Sequence, residues 1–228
     1  MTAVIAFDVN ETLLDLRALD DVFEDVFGSA AVRGQWFGQM LQLSFVGGLT
    51  GRYVDFTTAQ QASLRMVAER LGRPVTTEQV SDVVERMTTL PPHPEVPSGL
   101  AALRAAPLKV VALTNSVQDV AEAQLRNAGL AGYFDTIMSA DNVKRLKPAP
   151  EPYQAVAHAF DVEPAQVRLV AAHSWDVSGA LAAGCQAAFV ARPGMVLSPI
   201  GDQPDIVEPD IARVVHRILA VDTTASNR

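Results

Sequence analysis

The chain opens with four consecutive apolar residues, Val4-Ile5-Ala6-Phe7, that end at Asp8 and give way to Val9-Asn10-Glu11-Thr12. A short apolar run bounded by turn-forming residues predicts a buried strand. Asp is a poor strand residue, so the strand should stop there. Past Asp15 the apolar spacing becomes helical. Leu19, Val22, Phe23, Val26 and Phe27 recur at intervals of three and four and stop at Gly28, which predicts an amphipathic helix. Trp36, Met40, Leu41 and Leu43 predict a second helix, broken at Gly47-Gly48. Residues 62–71 and 77–87 predict a third and a fourth, the last opened by Thr76-Thr77-Glu78. Pro91-Pro92-His93-Pro94 then reads as a rigid linker.

From residue 96 onward helix and strand alternate. The pattern predicts helices at 99–106, 117–128, 151–160 and 177–183, and strands at 109–113, 136–138, 167–171 and 187–190. Strands joined through single helices predict a parallel sheet with right-handed crossovers, and the first strand belongs to it. The expected fold class is therefore α/β. Residues 1–15 and 96–228 would form a Rossmann-like parallel sheet core. Residues 16–95 would form a helical cap domain, inserted after the first strand where it can cover a site. There is no internal repeat, and residues 223–228 predict a frayed tail.

Composition narrows the function classes. The 228 residues are 49% hydrophobic and 19% charged, enough for a core and too apolar for a disordered chain. The formal charge of −8 argues against nucleic acid and against an anionic membrane surface as partners. No apolar run approaches a membrane span and no cationic leader precedes residue 3, so a cytoplasmic protein is expected. The single cysteine, Cys185, reads as a small buried residue rather than a nucleophile.

The candidate chemistry lies at strand ends, which in a parallel sheet meet along one edge. Asp8, Asn10 and Thr12 follow the first strand, and Thr114-Asn115-Ser116 the second core strand. Arg145-Leu146-Lys147-Pro148 follows the third, and Ala172-His173-Ser174-Trp175-Asp176 the fourth. Singly, each has a plain structural reading as turn or cap chemistry.

In this order they resemble the haloacid dehalogenase superfamily. Its pattern is Asp-x-x-x-Thr, then Ser or Thr, then Lys before Pro, then a terminal acid. Phosphatases of that superfamily carry Asp-x-Asp, where the second acid protonates the leaving group and the first helps hold Mg²⁺. Here Asn10 stands instead, and an amide is no general acid. Ala171, Ala172 and His173 precede Asp176 where Mg²⁺-dependent members pair acids, a poor Mg²⁺ site. Both departures resemble the 2-haloacid dehalogenase branch, which needs neither metal nor cofactor, as do the stretches from Lys147-Pro148 to Tyr153 and from His173 to Ala180.

The resemblance implies roles. Asp8 attacks the carbon bearing the halogen and displaces halide with inversion, leaving an aspartyl ester. Water hydrolyses that ester, with Asp176 as base or water-orienter. Lys147 keeps Asp8 ionised. Thr12, Thr114 and Asn115 bind Asp8 or the substrate carboxylate, and Tyr153 supports Lys147 or the acid. The backbone around Val9 and Asn10 supplies amide donors, and Trp175 belongs to the substrate site. Two positions depart from the branch. The cap arginine is replaced by Phe37, within Gln35-Trp36-Phe37-Gly38, with Arg33 and Arg52 nearby as possible substitutes. Its Ser-x-Asn reads Ala171-Ala172-His173, and His173 either donates to halide, helps activate water, or makes a structural hydrogen bond. His93 is expected to be solvated in the linker, and His158 and His216 to have no function. The expected activity is hydrolysis of small 2-haloacids to 2-hydroxyalkanoates, with haloacid and water as the only partners and a homodimer compatible with the family. The alternative is a Mg²⁺-dependent phosphatase of the same fold. A binding module without catalysis is opposed by the Asp8, Lys147 and Asp176 set.

Overall fold

β1 (Val4–Phe7) is buried on both faces, which is why its sequence is a continuous apolar run rather than an alternating one. The computed structural model describes residues 2–222; the tail at 223–228 lies outside the described residues. Among the described residues six parallel strands form one sheet, in the order β3-β2-β1-β4-β5-β6. The others are β2 (Lys109–Thr114), β3 (Thr136–Ser139), β4 (Val167–Ala171), β5 (Gln186–Val190) and β6 (Ile206–Glu208). Side chains alternate between two cores. Ile5, Phe7, Val110, Ala112 and Val170 face one, and Val4, Ala6, Val111, Leu113, Leu169 and Ala171 the other. β1 pairs with β2 on one side and β4 on the other, so whatever follows Phe7 emerges at the centre of the sheet.

Between β1 and β2 run α1 (Asp20–Phe27), α2 (Val32–Leu49), α3 (Phe56–Arg70), α4 (Thr77–Arg86) and α5 (Val96–Arg104). Trp36, Met40, Leu64 and Val83 of the first four join the same apolar cluster as Phe7 and Val9. The remaining helices are α6 (Gln118–Asn127), α7 (Pro150–Ala159), α8 (Ser174–Ala182) and α9 (Ile211–Asp222).

Several elements depart from the sequence expectation. α2 is not broken at Gly47-Gly48 but runs to Leu49. Gly47 is small for a packing reason: a Cβ there would sit 2.8 Å from the Arg52 carbonyl oxygen. α3 begins at Phe56 rather than 62, because Asp55 caps it by accepting the Thr58 N–H at 2.8 Å. α8 begins at Ser174 rather than 177, which puts Trp175 and Asp176 in its first turn. The proline stretch 91–94 is no free linker: Asp15 N–H donates to the Pro91 carbonyl at 2.8 Å and His93 N–H to Leu13 at 2.9 Å. His93 is accordingly buried, not solvated, with Nε2 3.2 Å from the Glu11 carbonyl. β6 and α9 have no counterpart in the sequence reading. α9 is anchored by Arg168, fully buried on β4, whose Nε donates to Asp222 at 2.8 Å.

Gly47 gives a test whose sign decides between two explanations. Were it a helix breaker, Gly47→Ala would stabilise by about 1 kcal/mol. Packed on a backbone carbonyl, the same change should destabilise by about 1–3 kcal/mol in urea unfolding.

Candidate active site

Asp8 follows the last paired residue of β1, and its N–H donates to the Val170 carbonyl of β4 at 3.0 Å. The residue is 5% exposed. Lys147, on the loop between β3 and α7, is fully buried beneath it and uses all three ammonium hydrogens. They go to Asp8 Oδ1 at 2.9 Å, Asp176 Oδ2 at 2.6 Å and the Leu113 carbonyl at 2.9 Å. The other Asp176 oxygen accepts the Tyr153 hydroxyl at 2.5 Å. Thr12 donates to Asp8 Oδ2 at 2.6 Å and accepts the Ala172 N–H at 2.9 Å, tying the loop after β1 to the end of β4.

The close approach of α8 to the lysine loop depends on Gly179. A Cβ there would lie 2.5 Å from Pro148 Cβ and 2.7 Å from the Tyr153 hydroxyl. Asn115 holds the lysine from the other side: its Oδ1 accepts Lys147 N–H at 2.8 Å and its Nδ2 donates to the Lys147 carbonyl at 3.2 Å. The Asn115 side chain thus clamps the lysine backbone.

His173, the N-cap residue of α8, completes the set. Its Nδ1 faces Asp8 Oδ2 at 3.1 Å and its Nε2 faces Glu11 Oε2 at 2.9 Å. An ionised carboxylate only accepts, so between two of them both ring nitrogens donate, the arrangement of an imidazolium. Phe37 stacks on it with centroids 5.6 Å apart, and Trp175 with centroids 5.2 Å apart. Aromatic faces favour a cation between charged partners. Phe37 thus occupies the place where a cap cation was sought. Arg33 does not replace that cation: it pairs with Asp20 at 2.6 Å and Glu11 at 3.5 Å, and Arg52 is exposed.

The remaining predicted residues sit at the margin. Val9 is a core side chain, and its carbonyl accepts from Leu13 and Leu14. The Asn10 amide is held by Gln124 at 2.9 Å and donates to Ser116 at 3.3 Å, so it does not reach Asp8. Thr114 Oγ1 accepts the Ser116 N–H at 3.2 Å, a turn contact. Glu11 is the participant that sequence reasoning missed. Its φ of 61° lies in the left-handed region, which costs a non-glycine residue about 1–3 kcal/mol and recurs at functional sites. A glutamate in a loop beside a candidate nucleophile carries no signal of that geometry. Glu11 and Arg33 also line a cleft of 320 Å³ with His93 and Arg192.

The charges set one another. Burial alone would raise the Asp8 carboxyl, but the Lys147 ammonium, His173 and the Thr12 hydroxyl together hold it well below the usual carboxylate range. Burial would lower the Lys147 ammonium, and Asp176 and Asp8 raise it instead. Asp176 moves up, through burial first and the nearby Asp8 charge against the pull of Lys147. Burial would also lower His173, yet its contacts with Asp8 and Glu11 raise it to about 9. Cys185 is inert by comparison, its thiol pushed up to about 11 by burial.

This donor set does not fit a divalent cation between Asp8 and Asp176. Lys147 already bridges the two acids, and His173 adds a second positive charge. Among the described residues no group of three His, Cys, Asp or Glu side chains is arranged to hold a metal ion, and no helix is long and apolar enough to cross a membrane.

The raised His173 predicts a stability profile. Below pH 6.5 the ring is charged in folded and unfolded chains alike, and its carboxylate partners contribute fully. That contribution declines as pH rises and is lost above about 9. Its size is on the order of 3 kcal/mol. Urea unfolding between pH 6.5 and 9.5 should show this decline, and His173→Gln should flatten it.

Comparison with known proteins bears on the same residues. Residues 2–184 match the family of haloacid dehalogenase-like hydrolases. An (S)-2-haloacid dehalogenase of Xanthobacter autotrophicus is 32% identical over 194 residues, covering 84% of this chain and 76% of that one. Haloacetate dehalogenase H-2 of a Moraxella species is 28% identical over 216 residues, 94% and 96% of the two chains. The L-2-haloacid dehalogenase of Xanthobacter autotrophicus with chloropropionic acid covalently bound superposes with a TM-score of 0.88 at 28% identity, over 97% of this chain and 99% of that one. With its sheet order, its strand-end acids and its buried lysine, the chain belongs to the haloacid dehalogenase-like hydrolases.

Proposed function

We propose that this protein hydrolyses small 2-haloacids to 2-hydroxyalkanoates without a metal, through an ester on Asp8. The observation that carries the reading is the setting of Asp8: nearly buried, between Lys147 and His173, and with unequal oxygens. Oδ2 receives two donors and Oδ1 only one, so Oδ1 keeps a lone pair in the plane of the carboxylate. A desolvated carboxylate held this way is a nucleophile towards carbon.

Oδ1 attacks the carbon bearing the halogen, the carbon–halogen bond breaks, and halide leaves with both electrons. The configuration at that carbon inverts. Water then adds to Cγ of the ester and passes a proton to Asp176, whose raised carboxyl makes it a better base than an ordinary one. The hydroxy acid departs with Oδ1, taking a proton, and the net reaction releases one further proton with the halide. No leaving group in the first step needs a proton, which suits an amide at Asn10 that is itself held by Gln124.

The substrate's own charge also finds partners. The Trp175 indole N–H is buried and, among the described residues, has no hydrogen-bond acceptor, beside the His173 cation. A carboxylate or departing halide would satisfy it. The helices between residues 16 and 95 act as a cap in this reading, because Phe37 and Phe45 of α2 close over His173 and Trp175. The activities named for the two curated relatives support the substrate class. A phosphatase reading needs a general acid two residues after Asp8, and Asn10, held by Gln124, stands there instead.

The test is halide release in EDTA from the two enantiomers of 2-chloropropionate and from chloro- and fluoroacetate. Wild type should release halide with one enantiomer preferred, and Asp8→Asn should release none. Lys147→Ala should lose on the order of 10²–10³ in kcat. Halide release that requires Mg²⁺, or phosphate-ester hydrolysis in place of halide release, would overturn the proposal.

A further inference from the structure

The dehalogenation scheme leaves two features unexplained: why the loop after the nucleophile holds a glutamate in a left-handed conformation, and why a second cation lies against Asp8. The position of that cation on Asp8 answers both. Lys147 contacts Oδ1, whereas His173 and Thr12 contact Oδ2. Once Oδ1 carries the alkyl group, Oδ2 is the carbonyl oxygen of the ester. When water adds to Cγ, the carbonyl π electrons move onto Oδ2, and that oxygen becomes the oxyanion. The Thr12 hydroxyl at 2.6 Å and His173 Nδ1 at 3.1 Å already point at it. Collapse restores the carbonyl and breaks the Cγ–Oδ1 bond.

We infer that Thr12 and His173 form the oxyanion hole for hydrolysis of the Asp8 ester, and that Glu11 is a positioning residue that keeps His173 doubly protonated through that step. The inference rests on the proposed Asp8 ester. In the resting site His173 lies between two carboxylates, Asp8 and Glu11. Alkylation turns Asp8 into a neutral ester and removes one of them. Glu11 remains, 2.9 Å from Nε2, and is then the anion that holds the ring proton. Without it, an imidazolium buried against a neutral ester would lose its proton near neutral pH. That requirement accounts for the strained backbone at Glu11, since the left-handed turn is what carries the carboxylate to Nε2. The other groups around the ring do not substitute for it. Phe37 from α2 and Trp175 from α8 are uncharged, Arg33 reaches Glu11 rather than the ring, and Lys147 and Asp176 lie beyond Asp8.

The experiment separates the two chemical steps. Wild type, Glu11→Gln, Glu11→Gly and His173→Ala are mixed with the preferred 2-chloropropionate enantiomer in EDTA. Samples are acid-quenched over time and weighed intact, so the ester appears as a mass adduct while free halide is counted in parallel. Glu11→Gly removes the carboxylate but relaxes the left-handed residue, so it should fold at least as well as wild type. In both Glu11 variants the halide burst should stay within a few-fold of wild type, while ester hydrolysis slows by about 10-fold or more at pH 8 and the adduct accumulates. The pH at which hydrolysis falls off should lie lower in the Glu11 variants than in wild type. His173→Ala should slow hydrolysis by on the order of 10²–10³, the usual cost of losing one oxyanion donor. If wild type turns over and both Glu11 variants match it in both steps and in pH profile, the inference alone is overturned. If wild type itself forms no adduct and releases no halide, the dehalogenase reading falls and this inference with it.

Discussion

A lysine ammonium with no exposure to water is the constraint on which the site depends. Desolvating such a charge costs several kcal/mol, and Lys147 is tolerated only because each of its hydrogens meets an acceptor. Two of those acceptors are the acids that matter, so the lysine both neutralises Asp8 and Asp176 and fixes their separation. The surroundings exist to hold the lysine. Asn115 grips its backbone on both sides, Tyr153 takes the far oxygen of Asp176, and Gly179 lets α8 come close enough for that contact. A cation supplied by the chain thus stands between the two acids.

The charges continue past the lysine in strict alternation. Asp176, Lys147, Asp8, His173, Glu11, Arg33 and Asp20 form a row in which every neighbour has the opposite sign. It begins in the first turn of α8 and ends on α1, so it links the sheet edge to the inserted helices. Alternation is what lets seven ionisable side chains share a largely buried region. It also explains how a chain with a net charge of −8 can receive an anionic substrate: the two buried cations at Asp8 act locally. Phe37 contributes an aromatic face to the nearer of them rather than a charge of its own.

Much of this was legible in the sequence, for a definite reason. In a parallel sheet the carboxyl ends of strands must meet, so Asp8, Lys147 and Asp176 could be brought together from strand positions alone. Side-chain direction could not. Asn115 stands at a strand end, and only the loop's course shows its side chain turned onto Lys147. Asn10 sits two residues from Asp8 yet points under α6. Glu11 was invisible because its role needs a left-handed φ, which no pattern of residue types announces. α2 was cut short because glycine has two uses, breaking helices and admitting close neighbours, and Gly47 serves the second. The segment after β5 went unread because β6 is three residues long, although Ile211, Val214, Val215 and Ile218 of α9 do recur at helical spacing.

Everything proposed for the site turns on an ionised Asp8 flanked by two cations, one of them His173. The ¹⁵N spectrum of the His173 ring, assigned by its loss in His173→Gln, reports this directly. Two protonated ring nitrogens at pH 7.5, persisting towards pH 9, are predicted. A single protonated nitrogen at pH 7.5 would contradict it, since a bare ring nitrogen facing Asp8 or Glu11 requires the proton to reside on the carboxyl group instead.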